Sequence, residues 1–105
     1  MDASQPHLTV VLPAYNEEAS VGATIEAVLR FLRERGLSHE VVVVDDGSED
    51  ATASVVARVA GRHPAVRLVR HPANRGYGAA LRTAFAAARG EWVACPGHRL
   101  PGAAA

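Results

Sequence analysis

Apolar positions along this chain follow two alternating rhythms: short runs of β-branched residues, and longer stretches in which they recur every three or four residues. The first rhythm marks strands and the second marks helices, and their alternation is the pattern of a parallel sheet with crossover helices. Leu8 to Leu12 predicts a first strand that Pro13 should end, because proline brings no amide hydrogen to the ladder. From Glu17 to Arg35, Val21, Ile25, Val28, Leu29 and Leu32 share one helical face, with Asn16 as the expected cap and Gly36 as the stop. Glu40 to Asp45 holds four consecutive valines, which suit a strand buried on both faces. A second helix is expected from about Asp50 to Arg62, with Val55, Val56 and Val59 inward and His63-Pro64 interrupting it. Val66 to Arg70 reads as the third strand. Tyr77, Leu81, Ala84, Phe85 and Ala88 are expected on the inner face of an alanine-rich third helix, and Glu91 to Cys95 as the fourth strand.

The resulting order, βαβαβαβ, predicts an α/β, Rossmann-like fold whose mainly parallel sheet has strand order 3-2-1-4. Ligands in such sheets sit beyond the carboxyl ends of the strands, at the switch between strands one and four. The loops after Leu12 and after Cys95 therefore carry the most interest. Residues 1–7 are expected to be a flexible lead-in and 8–95 the folded unit. From 96 to 105 two Pro-Gly pairs and a run of alanines predict an irregular, disordered tail.

With 105 residues, the chain has room for one core and not for two. Its 11 basic residues balance 11 acidic ones, which argues against a nucleic-acid partner. The single cysteine, Cys95, excludes an intrachain disulfide or a cysteine-based zinc site and fits a reducing, cytoplasmic setting. No stretch resembles a signal peptide, and the apolar runs fall well short of the roughly 20 residues of a membrane-spanning helix. His7, His39, His63, His71 and His98 show no paired spacing and are expected in surface or loop positions.

Two segments bring chemistry to the ligand edge. Pro13-Ala14-Tyr15-Asn16-Glu17-Glu18 links the first strand to the first helix. There Tyr15 could lie against a base or ribose, Glu17 could accept hydrogen bonds, and amides at the helix start could receive oxygens. The same residues also read as a proline-ended strand with an ordinary helix cap. Asp45-Asp46-Gly47-Ser48 closes the second strand and brings two carboxylates to the same edge. A carboxylate there can accept from a base, although an Asp-Gly turn is also a common structural device.

Taken with their spacing, PAYNEE, VVVVDDGSEDAT and NRGYGAALRTAFAAARGEWV resemble family 2 glycosyltransferases, and among them the polyprenyl-phosphate hexosyltransferases of the dolichyl-phosphate mannosyltransferase type. The resemblance implies the amino-terminal half of a GT-A fold and transfer of a hexose, with inversion, from a UDP- or GDP-linked donor to an acceptor such as a polyprenyl phosphate. A divalent metal, Mg2+ or Mn2+, assists in complete relatives. It carries over Pro13, Tyr15, Glu17 and Asp46 as nucleoside-binding positions, Ala14 through its backbone, and Asp45 as a supporting neighbour. Arg75 falls in the loop before the third helix, where it either approaches a phosphate or is a solvated loop arginine.

One departure stands out. Similar proteins follow the Gly-Glu-Trp-Val strand with Asp-x-Asp, which holds the metal, whereas Gly97 and Arg99 occupy those places here. Glycine offers no ligand, arginine has the wrong charge for a hard cation, and His98 is no convincing substitute. No metal ligand and no catalytic residue are therefore assigned. The expectation is a truncated hexosyltransferase domain, inactive alone, that keeps part of its donor site and self-associates through an exposed sheet edge. The alternative is a non-catalytic nucleotide-binding or protein-association module of the same fold. In complete relatives a polyprenyl acceptor would bring the enzyme to the inner face of the membrane. A dinucleotide-binding Rossmann domain is disfavoured: no Gly-x-Gly-x-x-Gly follows the first strand, and Gly76-Tyr77-Gly78 comes after the third.

Overall fold

The computed structural model describes residues 5–96. The elements are β1 (Leu8–Ala14), α1 (Val21–Glu34), β2 (His39–Asp45), α2 (Thr52–Arg62), β3 (Val66–Arg70), α3 (Tyr77–Ala87) and β4 (Trp92–Ala94). All strand pairs are parallel and the sheet order is β3-β2-β1-β4, as expected of the Rossmann-like class. The expected tail beyond Pro96, with Gly97, His98 and Arg99, lies outside the described residues. Gln5, Pro6 and His7, expected in a flexible lead-in, are fastened. Pro6 is buried, and the Pro6 and His7 carbonyls accept from the Glu91 and Trp92 amides.

Pro13 does not end β1, which runs on to Ala14 beside Asp45. The Ala14 carbonyl accepts from the Asp46 amide on the β2 side, while the His7 carbonyl accepts from Trp92 on the β4 side. Odd-numbered residues of β1 therefore face β4. That pairing reaches only Val10, so the missing hydrogen of Pro13 points where no ladder bond is made.

The valine run of β2 is buried on both faces. Val41 and Val43 join Ile25, Leu29, Val56 and Val59 on one side, and Val42 and Val44 meet Val11, Ala80 and Ala84 on the other. On α3 the expected face holds only in part. Ala80 and Ala84 are the buried residues, whereas Tyr77 and Phe85 are about half exposed. Small alanines let this helix lie close on the sheet, a gain that outweighs burying its larger side chains there.

At the opposite edge from the ligand loops, the buried Glu40 carboxylate accepts from Thr9 Oγ1 (2.7 Å), Arg67 Nε (3.1 Å) and the Arg89 amide (2.7 Å). Burial raises its pKa, but these donors outweigh that and leave it below the usual carboxylate value. Thr9 Oγ1 also accepts from the Gly90 amide at 2.9 Å, which holds the turn into β4 against β1.

Candidate functional site

The loops that leave β1 and β2 are sewn to each other. The amides of Asn16, Glu17 and Glu18 donate to Ser48 Oγ (2.8 Å), Thr52 Oγ1 (2.7 Å) and Asp50 Oδ2 (3.3 Å). In return Asn16 Oδ1 accepts from the Glu49 amide and Glu18 Oε1 from the Ala51 amide. Asn16, at φ 50°, is therefore a cross-loop brace instead of the expected cap, and α1 starts at Val21 after a turn closed on the Glu17 carbonyl. The Asn16, Glu17 and Glu18 amides, at the expected helix start, are therefore already taken.

Beyond the carboxyl ends of β1 and β2 these loops border a cavity of about 400 Å3. Pro13, Ala14, Tyr15 and Glu17 line it from the β1 side, Asp46 from the end of β2, and Asn74, Gly76, Tyr77 and Ala80 from the far loop and α3. Five of the residues singled out from sequence thus meet at one opening, with two half-exposed tyrosine rings beside it. Partial burial raises the Tyr77 phenol above its usual pKa, and the adjacent Cys95 thiol adds to the shift. Cys95 follows β4 and lines a separate groove, and the loop expected to matter beyond it lies, after Pro96, outside the described residues.

Asp46 is 4% exposed, and both of its carboxylate oxygens are engaged. Oδ1 accepts from His71 Nδ1 (2.8 Å) and the Arg75 amide (2.9 Å), and Oδ2 from Asn74 Nδ2 (3.1 Å) and the Gly76 amide (2.9 Å). Burial raises its pKa, but the His71 hydrogen bond and the two amides outweigh that and hold the group below its ordinary value. Asp45 is fully buried and does not line the cavity. Its Oδ1 accepts from the Ser48 amide at 3.3 Å, and its Oδ2 lies 3.5 Å from Arg70 Nε. Arg75 is exposed on the far loop, tied to Asp46 through its amide, and is not among the residues lining the cavity.

His71 lies in a loop, as expected of it, but is buried there. At 4% exposure it links Asp46 to Thr83 Oγ1, 2.7 Å from its Nε2. The available signal was its place directly after β3, at the same sheet edge as Asp46. No cluster of three or more residues suited to a divalent metal occurs among the described residues; Asp46 is committed to internal donors, and Asp45 accepts at Oδ1 while its buried Oδ2 accepts no hydrogen bond. The described residues therefore do not fit Mg2+ or Mn2+, and positions 97 and 99 lie outside them. Nor, among the described residues, is any helix long and apolar enough to cross a membrane.

The model of Glycosyl transferase family 2 matches residues 9–96. A dolichyl-phosphate beta-glucosyltransferase from Trichomonas vaginalis is 36% identical over 95 residues, which span 86% of this chain and 28% of that protein. Among solved structures, a mannosyltransferase from Pyrobaculum calidifontis in complex with GDP-Man and Mn2+ aligns with a TM-score of 0.67 and 41% identity, covering 88% of this chain and 27% of that one. The glucosyl-3-phosphoglycerate synthase of Mycobacterium tuberculosis, in complex with Mn2+, UDP and phosphoglyceric acid, aligns with a TM-score of 0.70 and 30% identity, covering 88% of this chain and 32% of that one. The chain thus spans less than a third of the length of each of these relatives.

Proposed function

Because the chain belongs to glycosyl transferase family 2, we propose that its cavity is the nucleoside half of a donor site for a UDP- or GDP-hexose. The complete domain would transfer the hexose to an acceptor, a polyprenyl phosphate being the one favoured by the sequence resemblance. The observation that carries this reading is the convergence of Pro13, Ala14, Tyr15, Glu17 and Asp46 on one opening of about 400 Å3. Tyr15 and Tyr77, 43% and 48% exposed, offer faces on which a base can stack. Glu17 offers an acceptor for ribose hydroxyls or base amines. Asp45 supports the site from beneath, through Ser48, and Arg75 meets the diphosphate from the exposed loop. Donor use places the reaction in the cytoplasm, and a polyprenyl acceptor places it at the inner face of the membrane.

A second reading, a nucleotide-binding or protein-association module without catalysis, is favoured by Gly97 and Arg99 where a metal-binding pair would stand. Calorimetric titration with UDP, GDP, UDP-glucose and GDP-mannose, with and without Mg2+ or Mn2+, separates the two. Binding of one nucleotide regardless of metal supports a working half-site without turnover. Binding only with metal would overturn the view that the metal anchor is missing. No binding to any of the four would leave the family's fold without a donor site in this chain.

A further inference from the structure

The Asp46 carboxylate accepts four hydrogen bonds, as many as its lone pairs comfortably serve. It therefore reaches a ligand by shaping the 74–76 segment, whose Asn74 and Gly76 form part of the cavity wall, and what holds Asp46 itself becomes a question of function. Three of its donors belong to that segment. The fourth, His71 Nδ1, comes from outside it, from a residue whose own amide donates to the Asp45 carbonyl at 2.9 Å.

The partners of His71 dictate its hydrogen positions. An ionised carboxylate only accepts, so Nδ1 carries the hydrogen that faces Asp46 at 2.8 Å. In the neutral ring Nε2 is then bare, and it accepts the hydroxyl hydrogen of Thr83, 2.7 Å away on α3. With both nitrogens committed and the ring buried, His71 joins the ends of β2 and β3 to α3.

Resting on the nucleotide-site reading above, we propose that His71 is a positioning residue: it holds Asp46 in the orientation that carries the 74–76 wall, and its bond to Thr83 couples that wall to α3. It acts through Asp46 and need not touch the ligand.

Two isosteric replacements divide its roles. His71→Asn keeps a donor where Nδ1 stands and abandons Thr83, whereas His71→Gln places its amide near Nε2 and abandons Asp46. The proposal expects His71→Asn to bind the preferred nucleotide within about threefold of the parent, and His71→Gln to bind at least about tenfold more weakly. Amide hydrogen exchange at Arg75 and Gly76 should quicken by about tenfold or more in His71→Gln and change little in His71→Asn. Long-range proton–nitrogen spectra of the parent should show hydrogen on Nδ1. If affinity and exchange followed the melting temperature equally in both variants, His71 would be a packing residue only. A hydrogen on Nε2 with Nδ1 bare would also overturn the proposal. Should the parent bind no nucleotide, the donor-site reading falls by itself, and the exchange rates at Arg75 and Gly76 still decide whether His71 positions the wall.

Discussion

Asp46 condenses the site into one side chain, because it faces the cavity and also satisfies the Arg75 and Gly76 amides behind it. Asp46→Ala removes an acceptor from partly buried donors, each costing about 1 to 3 kcal/mol when left unpaired. Urea unfolding should show a loss of about 2 to 6 kcal/mol for the two amides together, and titration should show nucleotide affinity lowered by at least about tenfold. Unchanged affinity in a folded variant would remove Asp46 from the site. Much of the cavity lining was legible residue by residue, since Pro13, Tyr15, Glu17 and Asp46 stand at strand ends that the alternation of periods locates. Asp46's partners were not legible, because His71, Asn74 and the Arg75 and Gly76 amides lie 25 to 30 residues further along and meet it only once β3 is in place. The burial of the loop residue His71 was hidden for the same reason. Nothing local distinguishes a histidine after a strand from one folded under the following helix.

Among the elements, strands and helices followed from periodicity, while their edges and one face were set by neighbours. Pro13 continues β1 because the β4 pairing stops short of it, a fact of register that a single strand cannot reveal. α3 turns Ala80 and Ala84 to the sheet with Leu81 beside them, so the expected face is right at Leu81 and Ala84 and too wide at Tyr77 and Phe85. The turn after β2 gives a sharp test of how closely elements approach. Gly47 has φ +74°, and a Cβ there would lie 2.3 Å from the Ala73 carbonyl carbon and 2.4 Å from the Asn74 nitrogen. Both contacts are backbone, so relief requires the 74–76 wall to move. Gly47→Ala should cost about 2 to 4 kcal/mol in chemical denaturation, combining left-handed strain with overpacking, and should weaken nucleotide binding as well. In the core, Ile25→Ala should cost about 2 to 5 kcal/mol, since its fully buried side chain closes α1 onto the sheet.

Over the whole molecule, the two ends of the sheet carry buried carboxylates that make the fold acid-sensitive. The pKa values of Glu40 and Asp46 both lie below their ordinary values. A group depressed in the folded state stabilises it above the unfolded value, near about 4, and that stability drains away as pH falls through the folded value. The urea midpoint should therefore fall between about pH 5 and pH 3, and Glu40→Gln should flatten part of that slope. A slope unchanged in this variant would assign the acid sensitivity elsewhere. The lateral edge makes a different demand. Among the described residues β4 pairs only with β1, and Trp92 and Val93 are 66% and 38% exposed. Beside them Val28, Phe31, Ala94 and Cys95 line an apolar groove of about 510 Å3. An unpaired strand edge next to apolar surface invites a second copy, because two identical edges related by a two-fold axis satisfy each other's ladder and cover both grooves. Sedimentation should accordingly show mass rising with concentration. Combining Trp92→Lys with Phe31→Glu should return the chain to a monomer while leaving nucleotide affinity untouched, since neither residue borders the cavity proposed to take the donor. A parent that stays monomeric at high concentration would mean that this edge does not pair with itself.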